Sequence, residues 1–229
     1  MATKRRSKAK FIDERTPAPL KPLTPTQGQY LDALATHQQI VVLGPAGTGK
    51  TFIAGTHAAD CLMQHRVSKV IITRPNVPGG RSLGFFPGDL NDKVAPWVAP
   101  LIQVIGDRMS PPALEIAMKR GALEIVPFEV MRGRSWDDAL IILDEAQNTT
   151  SPEIKMFLTR IGQNSQVIIN GDIEQSDLRE TSGLKKALRL IAANPALSEA
   201  SAVIEFTVDD IVRSDLCALW VRAFHKDGQ

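Results

Sequence analysis

The sequence predicts an α/β domain built on a mostly parallel sheet with helices on both faces. Two patterns and one motif carry that prediction. Strand candidates alternate with helical stretches along the 229 residues, the order that builds a sheet from βα units. Several strand candidates are almost uniformly apolar (Val70-Ile71-Ile72, Leu140-Ile141-Ile142-Leu143, Val167-Ile168-Ile169), as strands covered on both faces must be. The motif is a glycine-rich octapeptide, GPAGTGKT at 44–51, set between an apolar run and a helical one.

Taken in order, the first 22 residues hold seven Lys or Arg, two acids and three prolines, with little apolar content. They are expected to be a mobile basic tail, leaving 23–229 as a single domain. Thr24 followed by Pro25 marks a helix start, the helix running to about His37. Strands are expected at 39–43, 69–73, 122–126, 139–143, 166–170 and 202–207, with a helix from Lys50 to about His65. The stretch 74–112 is rich in proline and glycine, and its length predicts functional loops. After Ser151 a helix begins at Pro152, places Ile154, Phe157, Leu158 and Ile161 on one face and ends at Gly162. Arg213 stands near the start of the last helix.

GPAGTGKT meets every defined position of the phosphate-binding P-loop, and its strand-to-helix context is the one that motif requires. Glycines at 44, 47 and 49 let backbone amides turn toward phosphate oxygens without a Cβ in the way. Pro45, Ala46 and Thr48 complete the cradle, and the helix dipole adds positive charge. Lys50 would reach the β- and γ-phosphates, and Thr51 would offer its hydroxyl to Mg²⁺. Strand 139–143 ends in Asp144-Glu145, where α/β sheets place ligands. Asp144 would hold Mg²⁺, and Glu145 would orient or deprotonate an attacking water, which favours hydrolysis over transfer to a small molecule.

Four further residues have two readings each. Gln175, beyond strand 166–170, would contact the γ-phosphate or the water, or serves as an ordinary turn residue; Gln147 shares these readings. Gln27 would read the N6 and N7 of adenine, or closes a capping box onto the Thr24 amide. Arg213 would stabilise a transferring phosphoryl group, or is a surface charge. Arg160 is a rival for that role.

The composition, 43% apolar with a net charge of +2, is that of an ordinary soluble domain. The basic excess lies in the tail, which would grip nucleic acid through phosphates or stay solvated. Cys61 and Cys217 form no paired motif, as in a reduced cytoplasm. No stretch approaches a membrane span, so a cytoplasmic protein without membrane association is expected. His57, Cys61 and His65 share one helical face, but lack a fourth ligand and lie behind the P-loop, so no zinc is expected.

Beyond the P-loop, the sequence carries TRP at 73, LGFFPGDL at 83, MRGRS at 131, ILDEAQNTT at 142, KMFLTRIG at 155, GDIEQSDL at 171, SGL at 182 and DDIVRSDL at 209. These motifs resemble the PhoH-like family of P-loop ATPases over about residues 23–225. Ser214-Asp215 departs from the histidine and proline usual there. The resemblance implies a RecA-like domain similar to the first domain of superfamily-one helicases, hydrolysis of ATP with Mg²⁺, an RNA-linked or helicase-like role, and assembly into a ring. It assigns the hydrolytic pair to Asp144 and Glu145, ATP sensing to Gln175 and the arginine role to Arg213. At this length the nuclease or RNA-binding domain that some relatives append is not expected. Compact phage-like members are similar in size, which adds a phage-infected bacterial host to the expected settings.

Such helicases close two RecA-like domains over one ATP, and this chain has sequence for one. A homo-oligomer is therefore expected, a hexameric ring being the closed form considered, with Arg213 or Arg160 reaching an adjacent site. Arg74, Arg81, Arg132 and Arg134, with Phe85, Phe86 or Trp97, are the candidate contacts to RNA or single-stranded nucleic acid. The competing expectation is a slow nucleotide-controlled binding module that switches partners without unwinding anything.

Overall fold

The computed structural model describes residues 17–75, 90–175 and 182–227. Its first half runs α1 (Pro25–Thr36), β1 (Gln39–Leu43), α2 (Lys50–Met63), β2 (Lys69–Thr73), α3 (Leu90–Met109), α4 (Pro111–Lys119) and β3 (Leu123–Ile125). Its second half runs β4 (Ala139–Leu143), α5 (Ser151–Leu158), β5 (Gln166–Gly171), α6 (Gly183–Ala193), α7 (Pro195–Ala200), β6 (Ser201–Glu205) and α8 (Asp215–Asp227).

The six strands form one sheet in the order β3-β2-β4-β5-β1-β6, every neighbouring pair parallel. The α/β fold expected from the sequence, a parallel sheet with helices on both faces, is the fold observed. Successive strand residues point to opposite faces, so each apolar run feeds two cores. Ile40, Val42, Val70, Ile72, Leu140, Ile142 and Ile168 face α1, α2 and α3. Val41, Leu43, Ile71, Ile141, Leu143, Val167 and Ile169 face the layer built with Ile154 and Phe157 of α5 and Leu184 and Ala187 of α6.

Register sets the site. Leu43 lies opposite Gly171, and Leu143 opposite Ile169, so the chains leaving β1, β5 and β4 emerge side by side at one edge. β5 separates the P-loop strand from the strand that ends in Asp144-Glu145.

Two stretches differ from the sequence reading. Within 74–112, α3 and the first turn of α4 replace the expected loops, while 76–89 lie outside the described residues. Pro96 and Pro100 fall inside α3, and a proline within a helix costs about 3 kcal/mol. Burial of Val98, Leu101 and Ile105 against α2 offsets that cost. α5 ends at Leu158 rather than at Gly162. Ile161 instead makes a bridge with Trp136, and Gly162 packs too closely on the Trp136 carbonyl and Asp137 to carry a Cβ.

Of the expected tail, residues 1–16 lie outside the described residues. Residues 17–22 are tied down, with the Arg108 guanidinium donating to the Ala18 carbonyl at 2.9 Å and Leu20 packing on the core. Among the described residues no helix is long and apolar enough to cross a membrane.

The α2–α3 seam depends on Gly55, where an added Cβ would sit 2.9 Å from Val104 and 3.0 Å from Leu101. Gly55→Leu should destabilise the fold by about 1–3 kcal/mol through overpacking. A lowered urea midpoint at unchanged m-value would show it.

Candidate nucleotide site

Leaving β1, the chain turns through Gly44, Gly47 and Gly49 at φ 129°, 89° and 95°, a region that L side chains rarely occupy. Gly44 is confined further. Its amide donates to the Gly171 carbonyl at 3.2 Å, and the Phe206 backbone carbonyl fills the place of a Cβ. The loop is braced from within by the Thr48 hydroxyl, which donates to the Pro45 carbonyl at 3.1 Å. It is braced from outside by Gln27, whose amide nitrogen donates to the Thr48 carbonyl at 3.0 Å.

Gln27 therefore departs from the capping box as expected. Thr24 does cap α1, its hydroxyl accepting from the Gln27 amide at 3.2 Å. The Gln27 side-chain oxygen, however, accepts from Leu23 N–H at 2.8 Å instead of Thr24 N–H. The side chain is 4% exposed and latches α1 to the P-loop.

Across the loop lies a cleft of about 420 Å³ lined by Ala46, Gly47, Gly49, Lys50, Thr51, Asp144, Glu145, Asp172, Gln175 and Arg213. Lys50 donates to the carbonyls of Gly44 and Pro45 at 2.5 and 2.8 Å. Burial pulls its pKa below the usual lysine value, opposed by the charges of Asp172, Asp144 and Glu145. Asp144 moves the other way, its pKa raised first by burial and then by the neighbouring charge of Glu145. Asn170 approaches its carboxylate at 3.5 Å. Asp172 is likewise raised, chiefly by burial.

Glu145 sits in the left-handed region at φ 56° and ψ 41°, a strained conformation for a residue with a Cβ. Its carboxylate is held on two sides, with Gln147 donating to one oxygen at 2.5 Å and Arg74 3.7 Å from the other. Gln147 also accepts from the Asp172 amide at 3.0 Å, linking the acid after β4 to the loop after β5. The DEAQ spacing puts Gln147 within reach of its neighbour, but its second bond depends on β5 lying beside β4. Arg74, expected among nucleic-acid contacts, belongs to this cluster.

Gln175 is exposed at the cleft wall, its amide donating to the Asp172 carbonyl at 3.3 Å. Arg213 packs over Gly47, close enough that a Cβ there would lie 3.0 Å from its Cγ and Nε, and Val212 N–H donates to the Gly47 carbonyl at 3.0 Å. Expected to reach a neighbouring copy, Arg213 lies in this chain's own cleft. Arg160 is at the opposite edge of the sheet, its carbonyl accepting from Trp136 N–H at 3.2 Å. On α2, His57 meets Gln166 at 2.8 Å and Cys61 at 3.5 Å, and burial pushes the Cys61 thiol up to about 11.

A model of the PhoH-like protein family matches residues 19–225. The chain belongs to the PhoH-like family. A PhoH-like protein from Bacillus subtilis (strain 168) is 43% identical over 202 residues, covering 88% of this chain and 63% of the relative. The PhoH protein of Escherichia coli (strain K12) is 39% identical over 216 residues, covering 93% and 60%. The chain thus spans about three-fifths of the length of these PhoH-like relatives. Both come from bacteria, and the expectation of a phage-infected host is not borne out by them. Among solved structures, a Pif1 helicase from Candida albicans is similar at 16% identity and a TM-score of 0.39, over 82% of this chain and 41% of that one. That likeness is too low to bear on function. Family, fold and motif together make this PhoH-like chain a P-loop NTPase.

Because Asp144 is costly to ionise, first through burial and then through the charge of Glu145, Asp144→Asn should raise Tm near neutral pH. A gain of about 2–4 °C, the effect of ~1 kcal/mol at this size, is expected in a thermal melt without nucleotide. A carboxylate of raised pKa favours the fold only while protonated. The gain should therefore shrink as pH falls through the raised Asp144 pKa, where the parent is neutral too.

Proposed function

We propose that the chain is a Mg²⁺-dependent ATPase that couples hydrolysis to binding or remodelling RNA or another single-stranded nucleic acid. The observation that carries the hydrolytic part is Glu145, fixed by Gln147 and Arg74 at the wall of the P-loop cleft. A carboxylate oriented in this way suits a general base for water.

The remaining roles follow from placement. P-loop amides, the α2 N-terminus and Lys50 would bind the triphosphate. Thr51 and Asp144 supply the hard oxygen donors that fit Mg²⁺, whose charge would offset that of the β- and γ-phosphates. Glu145 would take the proton of the attacking water, and Gln147 would keep the carboxylate aimed. Gln175, at the cleft wall, would sense the γ-phosphate, and Arg213 would stabilise developing charge from within the same chain.

For nucleic acid, Arg132 and Arg134 are exposed on the loop before β4, with Arg134 3.4 Å from Glu124. Arg81, Phe85 and Phe86 lie outside the described residues, as does the side chain of Trp97. Homo-oligomerisation, with a hexameric ring as its candidate form, is supported by α8. Leu216, Leu219, Trp220 and Phe224 are 67%, 61%, 59% and 68% exposed there, an apolar stripe of the kind that marks interaction surfaces.

Glu145→Gln should lower ATP turnover about 10²–10⁴-fold while nucleotide binding persists; parental turnover in this variant would remove Glu145 as the base. Single-stranded RNA should raise parental turnover several-fold, and a flat response would favour a binding switch. In light scattering the parent should exceed monomer mass and Trp220→Glu should reduce it. A monomeric parent with undiminished ATPase activity would sink the oligomer.

A further inference from the structure

The acid pair that follows β4 is flanked by two cations of different standing. Lys50, on the P-loop side, is committed to the Gly44 and Pro45 carbonyls at 2.5 and 2.8 Å. Arg74 comes from the other side. It is the first residue after β2, which lies next to β4 on the side away from β5 and β1. The Asp144 amide, donating to the Thr73 carbonyl at 3.0 Å, holds the two strand ends together. Glu145 lines the nucleotide cleft and Arg74 does not, so the guanidinium stands behind the carboxylate, outside the space a nucleotide would fill.

Arg74 serves as the countercharge of this pair. Its Nη2 lies 3.7 Å from Glu145. Burial first, and Glu145 second, raise the Asp144 pKa, and Arg74 opposes that rise more than Lys50 does. The hold is nevertheless loose. Charge-assisted hydrogen bonds close to about 2.7–2.9 Å, whereas this contact is 3.7 Å and its side chains are 19% and 37% exposed, the setting in which ion pairs contribute least. A guanidinium so held can be drawn off by an anion that matches its planar fork, and a phosphodiester is such an anion. Glu145 stays braced without it, because Gln147 keeps its own bond to the carboxylate at 2.5 Å.

We propose that Arg74 couples the nucleotide cleft to single-stranded nucleic acid, paired with the acids while the cleft is empty and released to a backbone phosphate once the divalent cation that accompanies the nucleotide neutralises them. The proposal rests on the ATPase and nucleic-acid reading given above and adds to it the residue that links the two sites. Both ligands favour the same displaced state of Arg74. Each therefore tightens the other, by the reciprocity of linked equilibria.

The test is fluorescence anisotropy of a labelled oligouridylate titrated with the full chain at fixed salt, in Mg²⁺, with and without the β,γ-imido analogue of ATP. For the parent, nucleotide should tighten the oligonucleotide about 5- to 150-fold, the usual span of coupling between sites. Arg74→Gln should abolish that gain. Glu145→Gln should act in the opposite sense, binding the oligonucleotide more tightly without nucleotide, and only while Arg74 is present, as the double variant would show. Titrated without nucleic acid, Arg74→Gln should need several-fold less Mg²⁺ than the parent to bind the analogue, because the resident cation no longer competes. Arg74→Lys, which keeps the charge, should restore the parental requirement.

An equal gain in the parent and in Arg74→Gln, or a raised Mg²⁺ requirement in Arg74→Gln, would overturn Arg74 as the link. A parent that binds the oligonucleotide equally well with and without nucleotide would overturn the coupling alone. Absence of oligonucleotide binding in both states would overturn the nucleic-acid reading and the coupling with it, a result distinct from the others. Labelled oligoglutamate tightened as much as oligouridylate would overturn the phosphodiester as the anion.

Discussion

The structure depends on how Gly44 is gripped between two strands. Its amide bonds to the end of β5, and the backbone carbonyl of Phe206, just past β6, closes on its α-carbon. Phe206 N–H in turn donates to the Leu43 carbonyl at 2.8 Å. The P-loop therefore starts from a point fixed by three neighbouring strands. Its amides are set before any phosphate arrives, which is how preorganised dipoles contribute most.

The acidic half of the cleft is set by a different device. Asp144 and Glu145 are adjacent in sequence, yet their surroundings divide them. Asp144 is enclosed and resists ionisation, whereas Glu145 is turned outward by its left-handed backbone and met by Gln147 and Arg74. Such a conformation costs on the order of 1–3 kcal/mol and persists only where neighbours enforce it. The enforcing neighbour is β5, since Gln147 bonds the Asp172 amide.

The fold was legible because its signals are local. Apolar runs located β1, β2 and β4 to the residue, and Thr24-Pro25 located the start of α1. α3 was not legible, because the two prolines that argue against a helix are local and the α2 surface that outweighs them is not. Lys50, Thr51, Asp144 and Glu145 were likewise readable from motif and strand end. Arg74 against Glu145, Gln27 against Thr48 and Arg213 against Gly47 were not. Each pairs residues separated by whole elements, and nothing in the spacing of either partner announces the other.

The parallel register has a consequence in time as well as in space. Gln39, at the start of β1, bonds through its side chain to Ser201, at the start of β6, 162 residues later. At a synthesis rate of about 5–20 residues per second, β1 waits on the order of 8–30 s for the strand that completes its frame. Until β5 follows, Ile40-Val41-Val42-Leu43 is an apolar strand with two open edges, and the edge that β6 takes stays open to the end of that interval. The frame of the P-loop is thus completed by the last strand of the sheet to be synthesised, and until then the emerging chain carries an open apolar edge just before the segment proposed to hold the phosphates.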